Sequence, residues 1–188
     1  MRKETASKTL SILTIALLIV SIGPTVAMAQ SPYQFDYFSN NVPAAPDATV
    51  YIANSTNPYV TLCAMIYVFD PSEFMTTCCG CLVAPFGTLQ LSVRNNLTVP
   101  QIGPRPVFGQ IKIVSAAATG TTCDPTMSIT PTVGLRAWAT HIQKAAKRND
   151  YQITEAQFAY FPLGGSLLAD LESQCAGRTA PQGVCTCY

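Results

Sequence analysis

Apolar and polar residues alternate with a two-residue period in several separate segments of this chain. In "TLQLSVRN", residues 88–95, every second residue is leucine or valine and the residues between them are mostly polar. This alternation is typical of a β-strand with one face in a core and the other in water. Comparable segments begin at Ala48, Val107, Gly134 and Tyr151, and turn-forming residues separate them. The spacing predicts an antiparallel β-sandwich of jelly-roll or immunoglobulin-like type.

The segment "VTLCAMIYVFD", residues 60–70, is apolar on both faces. Leu62 and its alternate neighbours share one face, and Cys63 and its alternate neighbours share the other. A strand with two apolar faces needs cover on both sides, so this strand is predicted to lie centrally in its sheet. Asp70 and Pro71 then favour a turn, after which the chain returns through "FMTTCCGCLV". The two segments predict a hairpin.

One helix is predicted near the end of the chain. In "LGGSLLADLESQCAG", apolar residues recur at the i, i+4, i+8 spacing of an amphipathic helix over residues 165–176. Ser166 or Gly165 is the expected N-cap, and Gly177 stands where a helix ends. The fold class is therefore predicted as mainly β, an antiparallel sandwich with one C-terminal α-helix whose apolar stripe closes one end of the sandwich.

The first residues have the three parts of a secretory signal peptide. Arg2 and Lys3 form a basic start, a short apolar run follows, and the small residues Ala27 and Ala29 flank the expected cleavage point. The chain is thus divided into a signal peptide (residues 1–29), an extended lead-in (30–47) and a single domain (48–188). An uncleaved signal anchor is the alternative. Export to the medium, the periplasm or the cell surface is predicted.

Charge argues against a nucleic-acid partner. The chain has 11 basic and 10 acidic residues. Removal of residues 1–29 takes away Arg2, Lys3, Lys8 and Glu4, so the remaining chain has a net charge near −1. Since nucleic-acid binding rests on a basic surface, no nucleic-acid partner is expected, nor any membrane contact after cleavage.

Eight cysteines follow the predicted signal peptide. An even number in an oxidising compartment favours disulfides. The C-x-x-C spacing of zinc and redox sites occurs once, from Cys78 to Cys81. An extended strand would point these two side chains to opposite faces, so a thiolate metal site or a redox site is the weaker alternative. No metal and no cofactor are therefore expected. The disulfide candidates are Cys63, Cys78, Cys79, Cys81, Cys123, Cys175, Cys185 and Cys187.

Strand geometry limits which of these cysteines can pair. Cys79 and Cys81 point to the same face of an extended strand and Cys78 to the other, so the three are expected to bond elsewhere. We expect the two C-x-C units to face each other and form adjacent bridges that hold the tail. Cys63, placed opposite Gly80 in the hairpin, would reach the cysteine cluster. A bridge between Cys123 and Cys175 would complete the set.

The sequence nominates no catalytic residue. His141 is the only histidine, and the chain lacks the nucleophile-elbow and zinc-hydrolase motifs. A structural role for His141 on its predicted strand is favoured. The carboxylates show no spacing that marks a glycosidase pair.

Aromatic residues near the start of the exported chain are the candidates for ligand binding. Tyr33, Phe35 and Tyr37 alternate in "SPYQFDYFSN", so their rings can stack on sugars or fill a partner's groove. The same alternation suits a strand packed on its own sandwich. It also suits a donor strand for a homo-oligomer.

Several segments together resemble a known group of proteins. The order "LCAMIYVFD", "CCGCLVAPFGTLQLSVRNNLT", "GLRAWATHIQ", "TEAQFAYFPL" and "LESQC…GVCTCY" is similar to that of a family of secreted, cysteine-rich bacterial proteins with no established activity. The resemblance spans about residues 48–188 and implies export and a cysteine-stabilised domain. It implies no catalytic residue. A non-catalytic exported module is the favoured function; a glycan- or surface-binding module, a self-assembling subunit and a secreted hydrolase are the alternatives.

Overall fold

The computed structural model describes residues 30–40, 42, 44–55, 59–99, 104–146, 150–178 and 187. The predicted signal peptide (residues 1–29) and Cys185 lie outside the described residues. The elements are β1 (Tyr33–Ser39), β2 (Thr49–Asn54), β3 (Leu62–Phe69), β4 (Met75–Val83), β5 (Thr88–Ser92), β6 (Phe108–Ala117), β7 (Leu135–Lys144), β8 (Tyr151–Gln157), β9 (Ala159–Phe161) and α1 (Gly165–Ala176). A π-helical turn, Val93–Leu97, follows β5.

Two antiparallel sheets form the domain. The five-stranded sheet has the order β4-β3-β6-β1-β9, and the four-stranded sheet has the order β5-β2-β7-β8. Apolar side chains from both sheets meet in one core cluster, which includes Ile52, Ile66, Ile113 and Leu91. The predicted mainly β sandwich with a C-terminal helix is confirmed.

β3 is central and covered on both faces, as its sequence predicts. All eight of its residues are buried, and it lies between β4 and β6. Leu62 and its alternate neighbours face the core between the sheets. Cys63 and its alternate neighbours form a second cluster with Leu171 and Cys175 of α1. Two apolar faces thus hold three layers together: sheet, sheet and helix.

The N-terminal segment corrects the predicted domain boundary. Residues 30–47 were expected to be an extended lead-in, but β1 pairs with β6 along its whole length and with β9 over its first three residues. Phe38 is almost fully buried in the core between the sheets. Burial of this segment makes β1 an interior strand, so the sandwich begins at Tyr33.

The last two strands form one corner of the sandwich. The sequence predicts a single strand over residues 151–161, but the chain bends at Phe158, whose ring is buried and whose backbone N–H donates to the carbonyl of Ala137. β8 pairs with β7 in one sheet, and β9 pairs with β1 in the other. The bend lets one segment form the edge of both sheets.

α1 was expected to close one end of the sandwich, but it packs on the outer face of the five-stranded sheet, where Leu171 and Cys175 are buried against β3. Its N-cap is Gly164, and no side chain caps the helix. The expected capping by Ser166 or Gly165 is therefore wrong. The Glu172 carboxylate accepts a hydrogen bond from the backbone N–H of Ile129, which ties the helix to the loop before β7.

The disulfides join Cys63 to Cys123, Cys78 to Cys175, and Cys81 to Cys187. Cys79 is also disulfide-bonded. The bridge between Cys81 and Cys187 holds the tail against β4, as expected for facing C-x-C units. The expected pairing of Cys123 with Cys175 is wrong, and so is a bridge from Cys63 to the cluster in β4.

The hairpin register explains this correction. Cys63 lies opposite Leu82, not Gly80. One residue of this difference comes from the turn, which pairs Phe69 with Met75, and the other comes from the register shift between Val68 and Phe69. Gly80 instead faces the backbone of Cys123: a Cβ atom added at Gly80 would lie 2.2 Å from the carbonyl oxygen of Cys123. The glycine therefore lets the loop approach closely enough for Cys123 to reach Cys63.

Candidate ligand-binding site

The outer face of the four-stranded sheet displays a pair of aromatic rings. Tyr51 on β2 lies opposite Trp138 on β7, and both side chains point away from the core because their neighbours Ile52 and Ala137 point into it. The two rings stack with their centroids 5.4 Å apart and an interplanar angle of 14°. Trp138 is the only tryptophan of the chain.

Amide side chains flank this pair along the same row of the sheet. Gln90 on β5 lies opposite Tyr51, and Gln157 on β8 lies opposite Trp138. Because adjacent strands lie about 4.8 Å apart, the row of four residues extends about 14 Å across the sheet. The row presents hydrogen-bonding groups at both ends of an apolar centre.

A pocket of about 490 Å³ lies beside Trp138. Arg136 and Trp138 come from β7, and Glu155, Ala156 and Gln157 come from β8. Since β8 supplies three of these five residues, the pocket lies on the side of Trp138 away from Tyr51. Tyr51 therefore stacks on the indole, and the pocket borders Trp138 on the side of β8.

Two charged side chains border this pocket. Arg136 and Glu155 are exposed, and neither takes part in an ion pair among the described residues. A guanidinium offers several N–H donors in a plane, and a carboxylate offers acceptors. An aromatic face with donors and acceptors around it can hold a ligand that has an apolar face and a hydroxylated rim.

The three aromatic residues predicted as ligand contacts each pack against another ring of the protein. Tyr33 is 6% exposed, and its ring centroid lies 6.5 Å from that of Phe161. The Phe35 ring meets Phe161 edge-on at 5.8 Å. Tyr37 is 43% exposed and stacks on His141 with 4.1 Å between centroids. Of these three side chains, only that of Tyr37 is exposed, and their role in ligand binding stays a prediction.

β1 is also committed to its own sheet. Tyr33, Gln34 and Phe35 pair with β6 on one side and with β9 on the other. In this fold, the strand predicted as a donor to another subunit already completes its own sandwich.

His141 lies in the interior. It is 1% exposed, and its Nε2 lies 3.3 Å from Oδ2 of Asp36. Tyr37 stacks on the imidazole, and the Tyr37 hydroxyl accepts a hydrogen bond from Nε2 of Gln143. The structural role favoured for His141 stays a prediction.

Tyr67 is a second buried polar group. Its hydroxyl donates to the carbonyl of Pro125 at 3.3 Å. Burial raises the pKa of this phenol well above its usual range, and the carboxylates of Glu172 and Asp124 raise it further. The phenol therefore acts as a neutral hydrogen-bond donor that fixes the loop after Cys123.

Three sulfur atoms lie close together at β4. The Sγ atoms of Cys79, Cys81 and Cys187 are within 4.8 Å of one another, in the metal-type cluster found among the described residues. All three cysteines are disulfide-bonded, and a sulfur in a disulfide is not a thiolate ligand. In the oxidised protein this cluster is a covalent anchor for the tail.

The sequence reasoning missed Tyr51 and Trp138. The available signal was their position: each is an aromatic residue at a polar-face position of an alternating strand, between two residues that face the core. The pairing of the two rings depends on which strands are neighbours, and residues 51 and 138 are far apart in the chain.

Comparisons with known proteins add little to this picture. No protein-family model matches the chain, and no curated protein matches it either. A crystal structure of Thermotoga maritima 1070 has 13% sequence identity and a TM-score of 0.45, and the match covers 71% of this chain and 97% of that chain. In the described part of the chain, no helix has the length and apolar character needed to span a membrane.

Proposed function

We propose that this protein is an exported, non-catalytic binding module that holds saccharides in the pocket beside Trp138. The observation that carries the proposal is the indole of Trp138, which stacks on Tyr51 and lines a pocket between β7 and β8. Sugar rings have an apolar face of C–H groups and a rim of hydroxyls. Such a ring matches an aromatic surface bordered by Arg136, Glu155 and Gln157.

The support for the indole is important for binding. A side chain that is already held in place loses less conformational freedom when a ligand arrives, so more of the contact energy appears as affinity. The ring of Tyr51 and the β7–β8 pairing hold Trp138 in this way. The site is thus formed before the ligand binds, as is usual for small-molecule sites.

The disulfide-bonded cysteines of the domain support a location outside the cytosol. Four described disulfide-bonded positions lie on β3 and β4, namely Cys63, Cys78, Cys79 and Cys81, and disulfides persist in oxidising compartments. The signal-like N-terminus and the resemblance to secreted cysteine-rich bacterial proteins point the same way. We assign the module to the cell surface or the medium.

The proposal is tested by glycan-array screening of the oxidised protein, followed by calorimetric titration of the best ligand. Replacement of Trp138 by alanine should weaken binding at least about tenfold, equivalent to about 1.4 kcal/mol. Trp138→Phe should retain part of the affinity. Phe74→Ala is the matched control, because Phe74 is a 70% exposed ring in the β3–β4 turn. An array without binding, or equal affinities for Trp138→Ala and Phe74→Ala, would refute the proposal.

A further inference from the structure

A second concave site lies at the end of the sandwich where β5 ends and β6 begins. Its cavity of about 220 Å³ is lined by Asn40, Val42, Arg94, Thr98, Arg105, Pro106 and Val107. Arg94 belongs to the π-helical turn after β5, and Arg105 precedes β6. Two arginines from separate segments therefore border one small cavity.

Neither guanidinium has a carboxylate partner in the described part of the chain. Among the described residues, no acidic side chain lies within ion-pair distance of Arg94 or Arg105. Two like charges that border one cavity repel each other, and water and salt screen this repulsion only in part. A bound anion would remove the repulsion and accept hydrogen bonds from both groups.

Asp47, which bonds to the backbone of Arg94, forms its other hydrogen bonds with Asn40 and Ser92. The carboxylate of Asp47 accepts hydrogen bonds from Nδ2 of Asn40, from the hydroxyl of Ser92 and from the backbone N–H of Arg94. Asp47 does not line the cavity. Its contact with Arg94 is made to the backbone, so the Arg94 side chain is not needed to hold the turn.

The other polar residues of the lining are also satisfied within the protein. Asn40 donates to Asp47 and accepts from the backbone N–H of Ala48, and the Thr98 hydroxyl donates to the carbonyl of Val93. The remaining walls are apolar, from Val42, Pro106 and Val107. Among the described polar side chains that line the cavity, the guanidinium groups of Arg94 and Arg105 are therefore the ones without a hydrogen-bond acceptor in the protein.

We propose that Arg94 and Arg105 form an anion-binding site for a carboxylate, sulfate or phosphate group. Arginine suits this task because its planar fork matches two oxygens of such a group. The apolar walls favour an anionic group that is attached to a carbon skeleton. This site is separate from the pocket beside Trp138 and does not depend on the saccharide proposal.

The first test uses inorganic sulfate and the full oxidised chain. The thermal midpoint should rise by at least about 2 °C more in sodium sulfate than in sodium chloride of equal ionic strength, since a ligand that binds the folded state stabilises it. Sulfate also stabilises proteins without binding, so the double variant Arg94→Ala/Arg105→Ala measures that background. The inference is overturned if the double variant shows the same sulfate-dependent rise as the wild type.

The second test distinguishes the sources of the anionic group. Oligogalacturonate, a sulfated oligosaccharide and inorganic phosphate are titrated separately, and one or more should bind at least about tenfold more weakly to the double variant, an effect expected for loss of charge-assisted hydrogen bonds. Lys144→Ala is the matched control because it removes an exposed positive charge that lies outside both proposed sites. The Arg94→Lys/Arg105→Lys variant should show partial rescue. The inference is overturned if the wild type and the double variant bind all three ligands with equal affinity. A Trp138→Ala variant that binds saccharides as the wild type does would contradict the saccharide proposal and not this one.

Discussion

Gln34 joins the two sheets through its side chain, and its replacement is the sharpest test of the fold. The side chain is fully buried on β1. Its Nε2 donates to the carbonyl of Leu135, and its Oε1 accepts from the backbone N–H of Ala137, each at 3.0 Å. β8 pairs with β7 only from Trp138 onward. Before that point, the Gln34 amide takes the hydrogen bonds that a neighbouring strand would otherwise make with β7.

Gln34→Leu keeps a similar side-chain volume but removes both bonds. The N–H of Ala137 is left without a partner, whereas the carbonyl of Leu135 keeps a 3.4 Å contact with the Tyr160 hydroxyl. A buried unsatisfied group costs about 1–3 kcal/mol and a lost hydrogen bond about 1 kcal/mol, so we expect the free energy of unfolding to fall by about 2–4 kcal/mol. Since whole domains are stable by only about 5–15 kcal/mol, the effect is large.

Urea unfolding of the oxidised protein, followed by tryptophan fluorescence and far-UV circular dichroism, measures this change. A decrease below about 0.5 kcal/mol, the size of an ordinary surface substitution, would refute the reasoning. Gln34→Glu adds a pH signature. Burial and the carbonyl of Leu135 favour the protonated carboxyl, so its pKa should be raised in the folded state. This variant should be most stable below the unfolded pKa of about 4.3 and lose stability as the pH rises.

Two further predictions concern β4 and the loop at Cys123. Gly80→Ala should destabilise the protein by about 1–3 kcal/mol, the usual cost of overpacking, because the new Cβ atom would collide with the Cys123 backbone. Thermal unfolding measures this change. An unchanged midpoint would contradict the close approach of the two segments. The folded-state pKa of Tyr67 is raised by burial and then by Glu172 and Asp124. An unfolded phenol ionises near pH 10, so the unfolded chain releases its proton first and stability should fall as the pH rises above 10. Tyr67→Phe should show a shallower fall in denaturant titrations at pH 9–11, and an identical slope would contradict this assignment.

Much of the secondary structure was predictable because it depends on local periodicity. The alternating segments predicted β2, β5, β6 and β7 within a few residues, and the apolar run predicted the central strand β3. The i, i+4, i+8 stripe predicted the bounds of α1. In each case the side chains themselves carry the information about which face is buried.

The candidate sites were much less predictable. The cysteines were identified as disulfide partners, but their pairing depended on the hairpin register and on the close approach at Gly80. The rings of Tyr51 and Trp138 meet because β2 and β7 are neighbours, and Arg94 and Arg105 border one cavity because two loops converge. A single sequence does not encode these neighbours in any local pattern.

By itself, the sequence determined that this chain forms strands of defined inward and outward faces, one terminal helix, and a set of cysteines suited to an oxidising environment. The tertiary structure alone decided which strands are neighbours and that β1 lies inside the sandwich. It also placed the aromatic pair and the two arginines at separate surfaces. The reason is physical: the direction of a side chain follows from the backbone of its own segment, whereas contact between distant residues requires the whole core to pack in one arrangement.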